Sequence, residues 1–480
     1  MSNEGGGRTA CRGLDGWCGY LLSTPHSNAN RQIIPPSSRV YRVQFTSTAG
    51  TTFKVFHHRI GKRFTASVHH FFTDTYHPGV SMEPLTPLDF YFAGPDAESP
   101  DRYQPGGYHP VHLGDVYCQR YKIIHKLGFG TYSTVWLARD LESSAQTRYV
   151  ALKFAVAELT GMNTEIKIHR HLASQSGTHP GSDHVLALLD HFRVRGANGE
   201  HDVLVFQVVG PHLEAMFNEE PTGIQETIKS LAHQVALGTS FLHDCGVVHA
   251  DLHKANIVFE IPGLDGKPEE MAMMALGLPQ CVPVFTRDQL HQTDSLPKYL
   301  VIPGSLVECV NQDDLRVKVI DLGEAFFTAE ASQDLHSPLQ VRAPEAIFNR
   351  LSTLLRIECG SKVDVWSMGC LIYELATSSS LIGDEYDEVG ALRELTALLG
   401  PLPEKWIGSL GASYSSTSDA SLERTVRSIS EVGDTPGLTR LLQEILVLDP
   451  LRRPNVSDIL NHPWFVGSSS PVTPSGSASE

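Results

Sequence analysis

The chain has 480 residues, of which 41% are hydrophobic, a content that is ordinary for a globular protein and excludes a fibre. No apolar run reaches the length of a membrane span, and the first 30 residues lack the layout of a secretory signal, so we expect an intracellular protein of the cytoplasm or nucleus, without membrane contact. The formal net charge of −16 disfavours nucleic acid as a direct partner and favours basic proteins, although it also serves solubility.

Residues 1–98 have no role that the sequence indicates, and we expect part of them to be disordered. Within them, the alternating stretches at 41–45 and 52–56 flank a turn-like segment and predict a β-hairpin. The proline-rich run at 98–107, ESPDRYQPGG, is typical of a linker.

From residue 121 the texture changes. Apolar and β-branched stretches up to residue 155 predict consecutive strands with a Gly-rich turn, and helical periodicity follows at 161–174. Later segments are mainly helical, so the sequence predicts an α+β, two-lobed domain at 121–466, with a small β-rich N-lobe and a larger helical C-lobe. The lobes divide at 209/210, residues 260–317 form an insertion in the C-lobe, and residues 467–480 read as a disordered Ser/Pro-rich tail.

The Gly-rich turn LGFGTYSTV is the first candidate for phosphate binding. Gly128 and Gly130 would let the backbone approach a phosphate closely, and Val135 on the returning strand would cover an adenine ring. A G-x-G between strands is more often only a tight turn, so this motif is weak by itself.

The motif VALK follows, with Lys153 on a strand and Ala151 facing the same side. Glu165, within the predicted helix, would pair with Lys153 and orient it toward the phosphates. Glu158 is the competing partner, but it lies too close in sequence for a helix to bring it back onto that strand.

Three further residues complete the constellation. In HADLHKAN, Asp251 would accept the substrate hydroxyl proton and Asn256 would hold a metal ion, and VIDLG supplies Asp321 as the second metal ligand. Each residue alone has a structural explanation, but their order along one chain is specific to phosphoryl transfer.

Downstream motifs separate kinds of phosphotransferase. APE would place Glu345 against Arg453 of LDPLRRP, and DVWSMGC would put Asp364 on a buried helix beneath the catalytic loop. Small-molecule phosphotransferases, whose loops often resemble HADLHKAN, lack these features.

With these motifs the chain resembles the eukaryotic protein kinases, over roughly 103–466. More narrowly, it is similar to the serine/arginine-rich protein kinases in their fungal form. The narrower likeness is carried by the lead-in at 99–120, by Ser133 in place of a third glycine, by Leu322 in DLG, and by the helical insert near 384–406.

The resemblance implies a bilobal protein-kinase-like fold and a serine/threonine kinase that uses ATP and Mg²⁺. Its substrates would be serines in basic, Arg-Ser-rich segments of splicing-related proteins, and it would act as a monomer. Acidic side chains at 384–388 would dock such segments, or they form only a solvated loop.

The resemblance also implies a set of site residues. The nucleotide-binding set is Leu127, Gly128, Gly130, Ser133, Val135, Ala151, Lys153, Phe206 and Val209, with the backbone of 207–209 at the adenine edge. The catalytic set is Asp251, Lys153 and Glu165, and the metal ligands are Asn256 and Asp321.

The catalytic loop departs from the family pattern at two positions. Ala250 replaces an arginine that usually clasps a phosphorylated activation segment, so activity should not depend on phosphorylation there, although Thr328, Ser332 and Ser337 are candidate sites. His253 replaces a lysine that steadies the γ-phosphate. Because both metal ligands, the base and the pair of Lys153 with Glu165 are retained, the sequence favours an active kinase. A pseudokinase that binds nucleotide or partners without catalysis is the alternative.

Overall fold

The computed structural model describes most of residues 97–466, together with the backbone of two strands upstream. The stretches outside the described residues within 97–466 are 143–146, 163, 176, 178, 218–224, 285–292, 331–334, 384–385, 411–421, 423–424 and 426–434. The disorder predicted within 1–98 and for 467–480 falls outside the described residues. Among those described, no helix is both long and apolar enough to cross a bilayer.

The two upstream strands are β1 (Tyr41–Thr46) and β2 (Thr52–His57). They pair antiparallel with Val43 opposite Val55, so the predicted hairpin is confirmed. The hairpin lies in a unit of its own, Met1–Pro84.

One antiparallel sheet of six strands forms the N-lobe. Its strands are β3 Val116–Tyr117, β4 Tyr121–Gly130, β5 Ser133–Asp140, β6 Arg148–Ala155, β7 Leu188–Gly196 and β8 Gly199–Gln207. Their order across the sheet is β3-β4-β5-β6-β8-β7. Because successive side chains of a strand point to opposite faces, Leu152 and Phe154 enter one apolar core while Ala151 enters another on the opposite face. Lys153 is on the same face as Ala151.

Helix α1 (Thr164–Gln175) packs beside this sheet, burying Ile166, Ile168 and Leu172. The C-lobe and its insertion contain the remaining described helices, which are α2 Leu213–Phe217, α3 Gln225–Asp244, α4 Glu269–Leu276, α5 Pro344–Leu351, α6 Lys362–Thr377, α7 Glu388–Leu399, α8 Glu404–Leu410, α9 Thr435–Ile445, α10 Val456–Leu460 and α11 Pro463–Val466. The predicted α+β, bilobal fold is therefore confirmed.

The C-lobe core is built around α6, which is buried along nearly its whole length. A helix that is apolar on every side is expected at the centre of a large core. Helix α9 has instead a single apolar stripe, with Leu438, Leu441, Leu442 and Ile445 fully buried at helical spacing.

Short strands in the C-lobe and its insertion form pairs. The strands are β9 Val247–Val248, β10 Ile257–Phe259, β11 Cys281–Pro283, β12 Tyr299–Val301, β13 Val317–Val319 and β14 Phe326–Phe327. Strand β9 pairs with β14, β10 with β13, and β11 with β12. The first two pairings bring the chain on either side of residues 249–256 next to the chain on either side of residue 321.

The insertion folds back onto the N-lobe. Glu269 at the start of α4 forms ion pairs with Lys122 (2.8 Å) and Arg139 (3.4 Å), and Tyr149 donates its hydroxyl to the carbonyl of Lys267 at 2.9 Å. Val301 of β12 enters the N-lobe core. The described part of the insertion thus packs against the N-lobe.

The run at 98–107 is not the linker that its composition indicates. Glu98 and Tyr103 are buried at 2% and 4% exposure, and Glu98 forms an ion pair with the buried Lys126. Backbone hydrogen bonds join Gly106 and Gly107 to the chain after β6. Proline and glycine here shape a tight, packed turn, and composition alone does not separate such a turn from a free linker.

Candidate active site

Five of the residues predicted to bind a nucleotide base lie in one apolar cluster beneath the sheet. Ala151 and Phe206 are buried in it, and the partly buried side chains of Leu127, Val135 and Val209 pack against it. The cluster also contains Leu188, Leu204 and Ile320, which the sequence did not single out; Ile320 was detectable as the apolar residue directly before Asp321.

The Gly-rich turn joins β4 to β5 above this cluster. Gly128 lies opposite Val135, and Gly130 lies opposite Ser133, which is 9% exposed. A Cβ added at either glycine would meet no heavy atom within 4 Å. The protein's own packing therefore does not require glycine at these positions, and the space above them is open to a ligand.

Lys153 connects three parts of the site. Its Nζ lies 2.8 and 2.9 Å from the two carboxylate oxygens of Glu165 on α1 and 2.8 Å from Oδ1 of Asp321. Burial by itself would lower the pKa of Lys153, but the charges of Asp321 and Glu165 raise it above the ordinary value. The rejected partner Glu158 instead lies 3.8 Å from Arg102.

Asp321 remains ionised in this arrangement because the charge of Lys153 lowers its pKa to about 2. The residue adopts a left-handed backbone conformation, with φ of 62°. Such a conformation is costly for a residue with a side chain and is typical of functional sites. It turns the carboxylate toward Lys153, with the side chain 47% exposed.

Asp251 and Asn256 face each other across the loop between β9 and β10. The side-chain nitrogen Nδ2 of Asn256 donates to the backbone carbonyl oxygen of Asp251 at 2.8 Å and to its Oδ2 at 3.1 Å. Oδ1 of Asp251 is buried and has no hydrogen-bond partner in the described part of the chain. A buried acceptor of this kind is costly and is expected where a substrate supplies the donor.

Asp364 on α6 holds the backbone of this loop from below. Its two carboxylate oxygens accept hydrogen bonds from the amides of His249 and Ala250, both at 2.8 Å. Burial by itself would raise the pKa of Asp364, but the hydrogen bond and charge of His243 keep it below the ordinary value. The carboxylate is therefore a fixed, charged anchor for the loop.

His253 lies against both loop residues. Its Nε2 is 3.4 Å from Oδ2 of Asp251 and 3.1 Å from the amide nitrogen of Asn256, and its Nδ1 accepts from the amide of Ala255. Lys254 points elsewhere, and its Nζ donates to Glu374 at 2.9 Å. The ammonium group next to His253 in the sequence is therefore paired with Glu374.

The segment from Asp321 to Glu345 ends in a buried ion pair. Glu345 and Arg453 have no solvent-exposed side-chain surface and form two bonds of 2.7 and 2.6 Å. Of the candidate phosphorylation sites, Thr328 is exposed, Ser332 lies outside the described residues, and Ser337 is only 2% exposed. A kinase could not reach Ser337 in this conformation.

The acidic insert is partly described. Asp384 and Glu385 lie outside the described residues, and Asp387 caps α7 by accepting from the amide of Gly390 at 2.8 Å. Glu388 is 3.4 Å from both Arg342 and Arg350. These two arginines pair with Glu388, and docking of basic segments at 384–388 stays a prediction.

The comparisons with known proteins agree with this geometry. The family model "Protein kinase domain" matches residues 121–265 and 306–465. The chain belongs to the protein kinase family. The stretch that the family model leaves unmatched, 266–305, contains α4, β11 and β12 of the insertion.

Its relatives include "Serine/threonine-protein kinase SRPK" of Physarum polycephalum, 28% identical over 77% of this chain and 91% of that protein. "Protein kinase dsk1" of Schizosaccharomyces pombe is 26% identical over 77% of this chain and 85% of that protein. A crystal structure of a kinase domain has a TM-score of 0.51 and 19% identity, covering 75% of this chain and 98% of that one, which supports the fold alone. The predicted likeness to serine/arginine-rich protein kinases and the enzyme class, a protein serine/threonine kinase, are confirmed.

Protein kinases use ATP and a divalent metal ion, and the residues present fit both. The open space above Gly128 and Gly130 leaves room for phosphates beside a continuous apolar cluster. Asp321 supplies an ionised carboxylate, and the amide of Asn256, which donates through its nitrogen, leaves a carbonyl oxygen as a ligand. Hard oxygen donors of this type suit Mg²⁺.

Proposed function

We propose that the chain transfers the γ-phosphoryl group of ATP, with Mg²⁺, to serine in basic, Arg-Ser-rich protein segments. The observation that carries the proposal is the position of Lys153, whose Nζ contacts both Glu165 and Asp321 within 2.9 Å. This contact assembles the strand, the helix and the metal-binding loop at the same time. An arrangement that had lost catalysis would have no need to keep all three together.

In this proposal the nucleotide lies between the Gly-rich turn and the apolar cluster, with Phe206 at the back of the adenine pocket and the backbone of 207–209 at its edge. Lys153, which pairs with Glu165, binds the phosphates, and Asn256 and Asp321 bind Mg²⁺. The metal ion supplies neutralisation of phosphate charge. Asp251 takes the proton from the serine hydroxyl as the serine oxygen bonds to phosphorus and ADP leaves.

The basic substrate class rests on two supports. The relatives include one named "SRSF protein kinase 3" of Homo sapiens, 36% identical over 34% of this chain and 29% of that protein. The net charge of −16 favours basic segments at long range. Glu388 does not add to that attraction, because Arg342 and Arg350 already pair with it.

The test is transfer of labelled phosphate from ATP to an Arg-Ser repeat peptide, beside a serine-containing acidic peptide and an Asp251→Asn variant. We expect transfer to the basic peptide alone and its loss in the variant, because the substitution removes the proton acceptor. Equal transfer to both peptides would contradict the substrate class. Binding of Mg²⁺ and ATP without transfer to either peptide would favour the pseudokinase, to which the comparisons give no support.

A further inference from the structure

The tip of the Gly-rich turn is held from outside the hairpin that forms it. Three successive carbonyls accept hydrogen bonds: Gly130 from the hydroxyl of Tyr108 at 2.6 Å, Thr131 from the guanidinium of Arg102 at 2.7 Å, and Tyr132 from a backbone amide at 2.9 Å. The first two donors belong to the lead-in, 99–120, which lies upstream of the part matched by the kinase-domain model. The lead-in therefore contacts the part of the turn that would cover the phosphates.

The lead-in is rigid enough to act as a support. Tyr108 is 4% exposed, stacks edge to face on Tyr103 with centroids 5.4 Å apart, and accepts at its carbonyl from Asn198 at 2.7 Å. A Cβ at Gly107 would come within 1.9 Å of the carbonyl oxygen of Arg102, so only glycine closes this turn. The donors thus come from a packed turn and not from a mobile arm.

Glu98, the residue directly before the lead-in, binds the strand at the base of the turn. Lys126 lies two residues before Gly128 and is fully buried, where it forms an ion pair with Glu98 and lies over the ring of Trp136 at 5.0 Å. Glu98 accepts in addition the hydroxyl of Tyr103. Breaking a buried pair by removing one partner is strongly unfavourable, so this attachment fixes the lead-in to the turn's base.

Two glycines give the turn more conformational freedom than any other residue would. Phe129 and Tyr132, at 39% and 53% exposure, provide little packing to restrict it. Hydrogen bonds to the carbonyls of the tip therefore restrain its position from outside the hairpin. These bonds use backbone acceptors, so they hold the turn without occupying the space above the glycines.

We propose that Arg102 and Tyr108 are positioning residues that clamp the Gly-rich turn over the phosphate site before a nucleotide binds. The inference rests on the proposed function, because it takes ATP as the ligand under the turn. The clamp reduces the ordering that binding would otherwise require, and it acts on affinity for ATP more than on the chemical step.

Tyr108→Phe removes one hydroxyl and keeps the buried ring, and Arg102→Gln removes the guanidinium of a part-exposed side chain, so both variants should fold. Tyr132→Phe, which removes an exposed hydroxyl from the same turn, is the control. Hydrogen exchange of the peptide 127–135, measured by mass spectrometry on the full chain without nucleotide, reports the clamp independently of activity. We expect faster exchange in both variants and in their combination, and no change in the control.

The second readout is kinetic. We expect KM for ATP to rise about threefold to tenfold in the double variant, with kcat changed less than twofold, since a loss of uniform binding raises KM alone. Unchanged exchange in the double variant would overturn the clamp, as would an unchanged KM in an active enzyme. If the unmodified chain transfers no phosphate, the proposed function fails, while the exchange comparison still decides whether the clamp exists.

Discussion

The helix that carries Glu165 is attached to the C-lobe through a histidine, and from this attachment we predict how a substitution of the histidine changes kcat. His171 on α1 donates its Nε2 proton to the carbonyl of Cys245 at 2.8 Å. Its ring also meets Phe327 edge to face, with centroids 5.2 Å apart and an interplanar angle of 87°. Phe327 lies on β14, which pairs with β9 directly before the catalytic loop. The helix is thus docked by contacts that need no phosphate.

The size of the effect follows from these two contacts. A neutral hydrogen bond contributes about 1 kcal/mol net, and an edge-to-face ring pair contributes about 1 kcal/mol more. Together they bias the docked helix by about 2 kcal/mol, or roughly 30-fold in an equilibrium constant. His171→Ala should therefore lower kcat by up to about 30-fold, and His171→Gln, which retains a donor, should recover part of the loss.

The assay is phosphate transfer to the Arg-Ser peptide at saturating ATP, with hydrogen exchange of α1 as the structural readout. His191→Ala is the matched control, because His191 contacts the same helix through Arg170 but lies on β7 within the N-lobe. Phosphatase treatment should leave the unmodified enzyme fully active. A His171→Ala variant with kcat within twofold of the unmodified enzyme and unchanged exchange in α1 would refute the reasoning.

Three further predictions concern stability and rate. Arg453→Met should lower the free energy of unfolding, measured in urea, by about 3–5 kcal/mol, because it leaves Glu345 charged and fully buried. Arg452→Met, at the exposed neighbouring position, should lower it by almost nothing, and equal losses in the two variants would contradict the prediction. Burial lowers the pKa of His109 to about 4, so the unfolded chain binds the proton first, and the contribution of this residue to stability should fall by up to about 3 kcal/mol as pH drops from 6.5 to 4; His109→Phe should flatten the slope of stability against pH relative to the unmodified protein. His253→Lys should raise kcat about tenfold or more by returning a cation beside the transferring phosphate, and a lower kcat would show that the imidazole has a role that lysine cannot fill.

The sequence located the parts of the site whose residue types are dictated by chemistry or by strand periodicity. Ala151 and Lys153 share one face of β6 because alternate residues of a strand do so, and the same face carries the cluster that contains Phe206. Asp364 was placed beneath the catalytic loop from a motif, and the two backbone bonds that it accepts lie there. The catalytic, nucleotide and metal roles of these residues stay predictions until the transfer assay tests them.

The sequence could not predict contacts in which one partner is a backbone carbonyl. Arg102 and Tyr108 reach the carbonyls of Thr131 and Gly130, acceptors that every residue possesses, so no pattern of residue types marks them. The ion pair between Lys122 and Glu269 spans 147 positions and depends on how the insertion folds back. For the same reason the run at 98–107 reads as a linker although it is packed.

Ala250 shows why a kinase loop tolerates the loss of its arginine. The residue has φ of 67°, a left-handed conformation that costs alanine roughly 1–2 kcal/mol, and its amide donates to Asp364 at 2.8 Å. The loop is therefore held by backbone amides on a buried carboxylate, and the side chain at 250 takes no part in that hold. The contacts of His171 with Cys245 and Phe327 dock the helix that carries Glu165. We therefore expect activity that does not depend on a phosphate at this position, while the support of Asp251 remains intact.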